Sequence, residues 1–198
     1  MAEPAQPAGQ LTARLANARP RALAALTRHF RDLDLAEEAF QEAAARALVN
    51  WREKGLPRDP TAWLIFTGRN AALDSIRKDN RHRDYVTLSV AEDHPAADVE
   101  TELASRIDMN ELRDDVLRLL FMCCQPELAV SDQLALALKV VGGFSVPQVA
   151  KALLVAPKTM EQRITRAKKK AAAIAADLDP PSLQARADRL NAVALMVY

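Results

Sequence analysis

The sequence predicts an all-α protein of two small helical domains joined by an acidic linker. Ala and Leu are abundant, aromatic residues make up only 5% of the 198 positions, and there are five glycines. Apolar residues recur at helical spacing over several long segments, whereas no alternation of polar and apolar residues lasts long enough to form a strand. Hydrophobic residues fill 49% of the chain, which suits one or two soluble domains.

Composition divides the chain into five predicted segments. Residues 1–10, rich in Pro, Ala and Gln without periodicity, are expected to be disordered. Residues 11–83 form the first helical domain and residues 107–174 the second. Residues 84–106 hold an acidic cluster and no sustained apolar face, which is typical of a linker. Residues 175–198 begin a further helical segment.

The segment LDLAEEAFQEAAARALVNW predicts an amphipathic helix in the first domain. Its apolar stripe consists of Leu33, Ala36, Phe40, Ala43, Ala47 and Trp51. Its opposite, polar stripe consists of Glu38, Gln41, Glu42 and Arg46, and is either a solvated face or a docking surface. Gly55 is expected to end this helix, and Pro60 to lie in the first turn of the next.

The next segment, WLIFTGRNAALDSIRK, combines an indole with polar and cationic residues. At 100° per residue, the side predicted to be buried holds Ile65, Phe66, Ala72, Leu73 and Ile76. The opposite side holds Trp63, Thr67, Asn70, Asp74, Arg77 and Lys78. The indole is therefore either a contact surface or a lid over the hydrophobic core. Asp74 is expected to form an ion pair with Arg77 or Lys78 at helical spacing.

Charge is distributed unevenly, although the formal net charge is only +1. Residues 69–83 and 158–170 are strongly basic, whereas residues 84–102 contain six acidic residues and no Lys or Arg. Any one such run is commonly only a solvated face. The alternation of two basic surfaces with an acidic segment between them is harder to explain as a solvated face alone.

The second domain is predicted to end in a helix-turn-helix. Helices are expected over residues 107–122 and 131–141, and Gly142 and Gly143 end the second of these. A short helix follows, with Ser145 as N-cap, Pro147 in its first turn, and Val149, Ala150 and Leu153 on its inner face. After a turn at residues 154–156, the last helix is expected to bury Met160, Ile164, Ala167 and Ala171.

The outer face of this last helix is polar and cationic. It carries Thr159, Gln162, Thr165, Arg166, Lys169 and Lys170, with Lys158 and Arg163 at its margins. Arg and Lys suit guanine edges, Gln suits adenine, and further cations suit phosphates, so this helix is predicted to enter a major groove. The alternative is a basic helical hairpin that binds nothing.

The sequence offers no support for an enzyme, a metal site or a cofactor. Cys123 and Cys124 are adjacent, and the three histidines lie far apart without ligand spacing. There is no nucleophile with a base and no phosphate-binding glycine loop. The two thiols are expected to fill core space at a helix end. Lacking a signal peptide or a membrane-spanning run, the chain is expected to be cytoplasmic.

Three segments together resemble the extracytoplasmic-function (group 4) sigma factors of the sigma-70 family. They are LAEEAFQEAAARAL, similar to region 2.2; PTAWLIFTGRNAALDSIRK, similar to regions 2.3 and 2.4; and FSVPQVAKALLVAPKTMEQRITRAKKK, similar to region 4.2. The resemblance implies that residues 11–83 are region 2 and residues 107–174 are region 4. It further implies a subunit that binds core RNA polymerase and directs promoter-specific initiation without catalysis.

The resemblance also implies which residues make each contact. Core polymerase would be bound by Glu38, Gln41, Glu42 and Arg46. The −10 element would be bound by Trp63, Thr67, Asn70, Arg77 and Lys78. The −35 element would be bound by Lys158, Thr159, Gln162, Arg163, Arg166, Lys169 and Lys170. Leu154 and Glu161 depart from the family pattern, since the first is commonly a turn glycine and the second is commonly basic.

A C-terminal extension is a further implication of the resemblance. The stretches LRLLFMCCQPELA, VVGGFS and RLNAVALMVY are similar to a subgroup with a tetratricopeptide-like domain after region 4. The apolar pattern that runs to Tyr198 without a polar ending leads us to expect a truncated or absent extension. That extension, or an anti-sigma factor, would be the regulator. The competing hypotheses are a stand-alone helix-turn-helix regulator and a vicinal-dithiol sensor.

Overall fold

A computed structural model describes residues 8–83 and 109–174 of the chain, with side chains for residues 9–77 and 115–173. These residues form seven α-helices and no strand, which confirms the predicted fold class. The helices are α1 (Ala8–Phe30), α2 (Leu33–Lys54), α3 (Pro60–Arg83), α4 (Met109–Cys123), α5 (Val130–Val140), α6 (Val146–Ala152) and α7 (Pro157–Ile174). Helix α1 begins three residues before the predicted start of the first domain. The predicted linker and the C-terminal segment lie outside the described residues.

Helices α1, α2 and α3 pack against one another as a bundle, here called the α1–α3 bundle. Asp32 caps α2, because its carboxylate accepts hydrogen bonds from the backbone N–H groups of Asp34 and Leu35 at 2.8 and 3.1 Å. All six predicted apolar positions of α2 are buried, from Leu33 to Trp51. Gly55 ends α2 and Pro60 begins α3, as predicted.

Helix α3 is rotated relative to the sequence prediction. Leu73 and Ile76, expected inside, are 37% and 39% exposed, while Thr67, expected outside, is only 6% exposed. The cause is Gly68, where an added Cβ would lie 3.0 Å from the backbone oxygen of Ala39 and 3.2 Å from Leu26 Cδ1. The helix therefore approaches α2 through its smallest residue, and the side that carries Gly68 becomes the buried side.

Helices α4 to α7 form a second unit, here called the α4–α7 unit. Gln133 is buried and ties α5 to the loop that precedes it, since its Nε2 donates to the carbonyl oxygens of Gln125 and Leu128, both at 2.9 Å. Cys123 and Cys124 are buried at the end of α4, as expected, and burial raises the pKa of the Cys123 thiol. These thiols therefore contribute packing and are poor nucleophiles.

The predicted helix-turn-helix is formed by α6 and α7. Ser145 and Gln148 make a capping box at the start of α6, with the Ser145 N–H donating to Gln148 Oε1 at 2.8 Å. Val149 and Ala150 are almost fully buried, and so are the four predicted inward residues of α7, from Met160 to Ala171. The sequence pattern thus predicted both helices and most of their inner faces, whereas Leu153, also expected inside, lies at the end of α6 and is only half-buried.

The turn between α6 and α7 holds Leu154 in a left-handed conformation, with φ of 54° and 94% of its surface exposed. A side chain with a Cβ pays about 1 kcal/mol in this region of φ, and Leu154 gains no burial in return. Leu154→Gly is therefore expected to raise the free energy of unfolding by about 0.5–1 kcal/mol, as measured by urea denaturation. Ala45→Gly, at an exposed site within α2, is expected to change it by the same amount in the opposite direction. A loss of stability in both variants would show that Leu154 is not strained in its left-handed conformation.

No helix among the described residues has the length and apolar character needed to cross a membrane.

Candidate functional site

The four residues predicted to contact core polymerase line one open groove between α2 and α3. The groove has a volume of about 430 Å³, and its floor is apolar. Its polar margin consists of Glu38, Gln41, Glu42, Arg46, Asp74 and Ser75; its floor consists of Leu35, Ala39, Ala71 and Ala72. An apolar floor with a charged margin is the arrangement typical of a protein-binding surface.

Ion pairs set the orientation of the charged side chains at this groove. Glu42 Oε1 accepts from Arg46 Nε at 2.8 Å along α2, and Asp74 Oδ1 accepts from Arg77 Nη1 at 3.5 Å along α3. The second pair is one of the two expected for Asp74. Exposed pairs of this kind contribute only about 0.3–0.5 kcal/mol each to stability.

Trp63 combines the two roles left open by its sequence position. It is half-buried against the core, and its ring meets that of Trp51 edge to face, with centroids 5.5 Å apart at 67°. Asn70, two helical turns further along α3, is also half-buried. Arg77 keeps 67% of its side chain exposed. These three residues lie seven positions apart and share one line along α3.

One residue of α3 that was predicted to contact the −10 element is buried, and two exposed residues of α3 were predicted to be buried. Thr67 lies between Trp63 and Asn70 but turns inward, and it is not accessible in this arrangement. Leu73 and Ile76 are exposed beside the cationic residues of α3, where apolar side chains are suited to contact unstacked bases. The signal that would have found them is Gly68, the smallest residue of α3. The side chain of Lys78 lies outside the described residues.

The outer face of α7 is accessible along its length. Exposed side chains among those predicted to contact DNA are Lys158, Thr159, Gln162, Arg166, Lys169 and Lys170. Gln162 and Arg166 lie one turn apart, and the Nε of Arg166 donates to the Gln162 carbonyl oxygen at 3.4 Å. Gln162 and Arg166 thus lie side by side with lysines around them, an arrangement suited to contacts with base edges and phosphates in a major groove.

Two of the predicted DNA contacts also hold the α4–α7 unit together. Arg163 is half-buried and donates from Nε and Nη2 to Asp132 Oδ1 at 2.8 and 2.6 Å, and from Nη2 to Ser131 Oγ at 2.5 Å. Lys170 Nζ donates to the Glu127 carbonyl oxygen at 2.5 Å. Both contacts tie the predicted recognition helix to the start of α5 and the loop before it.

Comparison with known proteins adds two family matches. Residues 15–82 match the family model described as Sigma-70 region 2, and residues 118–170 match the one described as Sigma-70, region 4. Together these ranges cover more than half of the chain. They contain the groove between α2 and α3 and the exposed face of α7, respectively.

A curated relative is an uncharacterized protein of Rhizobium meliloti (strain 1021). It is 51% identical over 190 residues, which is 96% of this chain. The aligned part makes up 44% of that relative, so this chain spans less than half of its length.

Proposed function

Because this chain belongs to the sigma-70 family, as a sigma factor of the extracytoplasmic-function kind, we propose that it binds core RNA polymerase and directs initiation from promoters with defined −10 and −35 elements. The observation that carries the proposal is the agreement between family region and geometry. Each matched region presents a surface of the kind its proposed partner requires: a groove for a protein, and a cationic helix face for DNA.

Core polymerase is the proposed partner of the groove between α2 and α3. The apolar floor would be covered by a partner helix, while Glu38, Glu42 and Arg46 at the margin would form charged contacts with it. Contacts of this kind set specificity and association rate more than raw affinity.

Glu42→Lys is expected to weaken binding to core polymerase while leaving the fold intact. The substitution replaces the Glu42–Arg46 ion pair by a repulsion at the groove margin, but 51% of the Glu42 side chain is already exposed. Its effect on stability should stay below about 0.5 kcal/mol. The measurement is a fluorescence titration of labelled protein with core enzyme, and Arg46→Glu is expected to behave alike.

Glu53→Lys is the matched control, since it makes the same charge change on exposed surface of α2 outside the groove. Equal affinities of Glu42→Lys and Glu53→Lys for core polymerase would show that the groove is not the docking surface.

The −35 element is the proposed target of α7. Gln162 and Arg166 would read base edges, while Lys158, Lys169 and Lys170 would contact phosphates. Arg163 and Lys170 have a second task in this proposal, because their contacts to Asp132 and to the Glu127 carbonyl fix the angle of α7 on the unit.

Gln162→Ala is expected to lose activity at particular −35 base pairs, by about 1–3 kcal/mol for a lost bidentate contact; Arg166→Ala should act likewise. Lys169→Ala should weaken binding to all sequences alike and reduce the salt slope by about one unit, because it removes a phosphate contact. Transcription from a promoter library with randomised −35 elements separates sequence-specific from uniform loss, and binding measured at several salt concentrations gives the slope. A uniform loss with Gln162→Ala would contradict this division of labour.

The proposal extends to the location and the regulation of the protein. We propose a non-catalytic, cytoplasmic protein that acts without a cofactor and is regulated by an anti-sigma factor or by a C-terminal extension.

Multi-round transcription with purified core polymerase on a genomic promoter library tests the proposal as a whole. Initiation that depends on this chain and on a defined pair of elements is the expected result. DNA binding without any effect on core polymerase would instead identify a stand-alone helix-turn-helix regulator.

A further inference from the structure

The α1–α3 bundle and the α4–α7 unit are packed together rather than separate. Helix α1 lies along α4, and the buried apolar side chains of both halves form one continuous cluster. The facing residues at this contact include Ala24 and Thr27 of α1 and Leu119 and Met122 of α4. The two halves of the chain are therefore in direct contact, an arrangement here called closed.

A buried carboxylate forms the first ionic contact between the halves. The Asp115 side chain on α4 is fully buried, and its Oδ2 lies 3.1 Å from Arg28 Nε on α1. Its Oδ1 accepts from Arg118 Nη1, one turn along α4, at 3.1 Å. Burying this carboxylate costs desolvation, and Arg28 of α1 offsets part of that cost only while the halves are packed together, so the pair specifies the closed arrangement.

The second ionic contact reaches from the proposed recognition helix to α2. Lys168 Nζ on α7 contacts Asp34 Oδ1 and lies 2.6 Å from Glu37 Oε2, and only 18% of its side chain is exposed. Burial alone would lower the pKa of Lys168, but its bonds to Asp34 and Glu37 outweigh burial and raise it. The ammonium therefore stays charged at neutral pH.

Arg19 of α1 completes this second contact. Its Nη2 lies 3.5 Å from Glu37 Oε1, and its guanidinium lies 5.0 Å from the centre of the Phe40 ring. On its far side is Gly143, where an added Cβ would lie 2.7 Å from Arg19 Cδ. The glycine turn after α5 thus fits closely over a side chain of the other half.

In the closed arrangement, the two proposed DNA-binding surfaces lie too close together to reach both promoter elements. A compact body of about 140 residues has a radius of gyration of about 14 Å, hence a diameter of about 40 Å. Elements centred near positions −10 and −35 are about 25 base pairs apart, or about 80 Å along B-DNA. With Lys168 of α7 touching α2, the two proposed DNA surfaces cannot reach both elements at once.

We propose that the Lys168–Asp34–Glu37 and Asp115–Arg28 contacts form a releasable latch, which holds the free protein closed and must open for promoter recognition. The latch itself is a property of the free chain, whereas its regulatory meaning rests on the proposed function. Because Asp115, Lys168 and Glu37 are largely buried, salt screens these contacts only weakly, and charge substitutions are the sharper test of the latch. Core polymerase would bind the open fraction, so closure lowers its apparent affinity.

Energy transfer between two dyes on the full chain tests the latch without polymerase. The labels are placed at Glu53→Cys on α2 and Ala172→Cys on α7, both exposed sites, and the native thiols are buried. The starting protein is expected to show high transfer. Lys168→Glu, which places a third carboxylate beside Asp34 and Glu37, is expected to lower the fraction of high-transfer molecules, although the Asp115–Arg28 pair remains.

Two further variants show whether the change is specific. Lys151→Glu makes the same charge change at an exposed site of α6 and should leave transfer unchanged. Adding Asp34→Lys to Lys168→Glu restores an opposite-charge pair at an exposed position, leaves the Arg19–Glu37 pair in place, and should recover the high transfer. Circular dichroism of each variant establishes that the helices remain folded.

Binding to core polymerase separates the latch from the proposed function. If about one molecule in ten is open in the starting protein, Lys168→Glu should tighten the apparent affinity for core up to about tenfold. High transfer without core binding would defeat the proposed function and leave the latch standing. Unchanged transfer in a folded Lys168→Glu variant, or no recovery in the double variant, would overturn the latch.

Discussion

Trp51→Ala is expected to lower the free energy of unfolding by about 3–5 kcal/mol, the largest effect on stability that we predict. Trp51 is only 2% exposed and lies on the apolar stripe of α2. Its removal leaves a cavity and also ends the edge-to-face contact with Trp63, which adds about 0.5–1.5 kcal/mol beyond burial. Urea denaturation followed by circular dichroism measures the loss.

Two variants calibrate this result. Trp51→Phe keeps an aromatic ring and removes the indole Nε1, a buried donor for which the described residues provide no acceptor, so its cost should be clearly smaller. Val49→Ala changes a neighbouring residue of α2 that is 57% exposed and should shift stability by less than about 0.5 kcal/mol. Equal losses for Trp51→Ala and Val49→Ala would show that the stripe does not form the core.

Helix α2 was fully predictable from sequence, whereas the orientation of α3 was not. The stripe of α2 repeats apolar residues at one helical spacing, so the burial of Phe40 and Trp51 follows from periodicity alone. In α3, the buried side is determined by the closest approach to α2, which occurs at Gly68. A count of apolar residues gives no weight to a glycine, and it therefore placed Leu73 and Ile76 on the wrong side.

The candidate surfaces also differ in how far they depend on residues distant in sequence. The outer face of α7 lies on one helix, so its exposed residues could be predicted from helical spacing. The second task of Arg163 depends on Asp132, 31 positions earlier, and the latch joins Lys168 to Glu37, 131 positions earlier. Local periodicity contains no information about contacts at such separations. The groove was found only in part, because its polar margin is a stripe of α2 but its floor needs Ala71 and Ala72 of α3.

The remaining prediction concerns Trp63 and Asn70, which we propose act on separated strands of the −10 element. Trp63→Ala and Asn70→Ala should form closed promoter complexes nearly as well as the starting protein but open them poorly, since these contacts exist only once bases leave the stack. A stacking contact contributes about 1–3 kcal/mol, so open-complex occupancy should fall by roughly one to two orders of magnitude. Permanganate reactivity of −10 thymines reports this occupancy.

The structural contact of Trp63 makes a stability control necessary. Because its ring packs on Trp51, Trp63→Ala should also lower the melting temperature of the protein. Ile65→Val provides the comparison, since it removes one methylene from a neighbouring residue that is 8% exposed and should cost about 0.5–1.5 kcal/mol. At a temperature where both variants are folded, Ile65→Val should open promoters as well as the starting protein.

A template with a pre-melted −10 bubble separates melting from packing. The bubble removes the cost of strand separation, so it should restore much of the activity of Trp63→Ala, whereas Asn70→Ala should stay impaired because its contact to the captured base is still missing. If Trp63 served only as a lid over Trp51, the melting temperature would fall and the bubble would bring no recovery. Normal thymine reactivity on duplex DNA with either substitution would defeat the strand-capture proposal, because the half-buried indole would then contribute to the core alone.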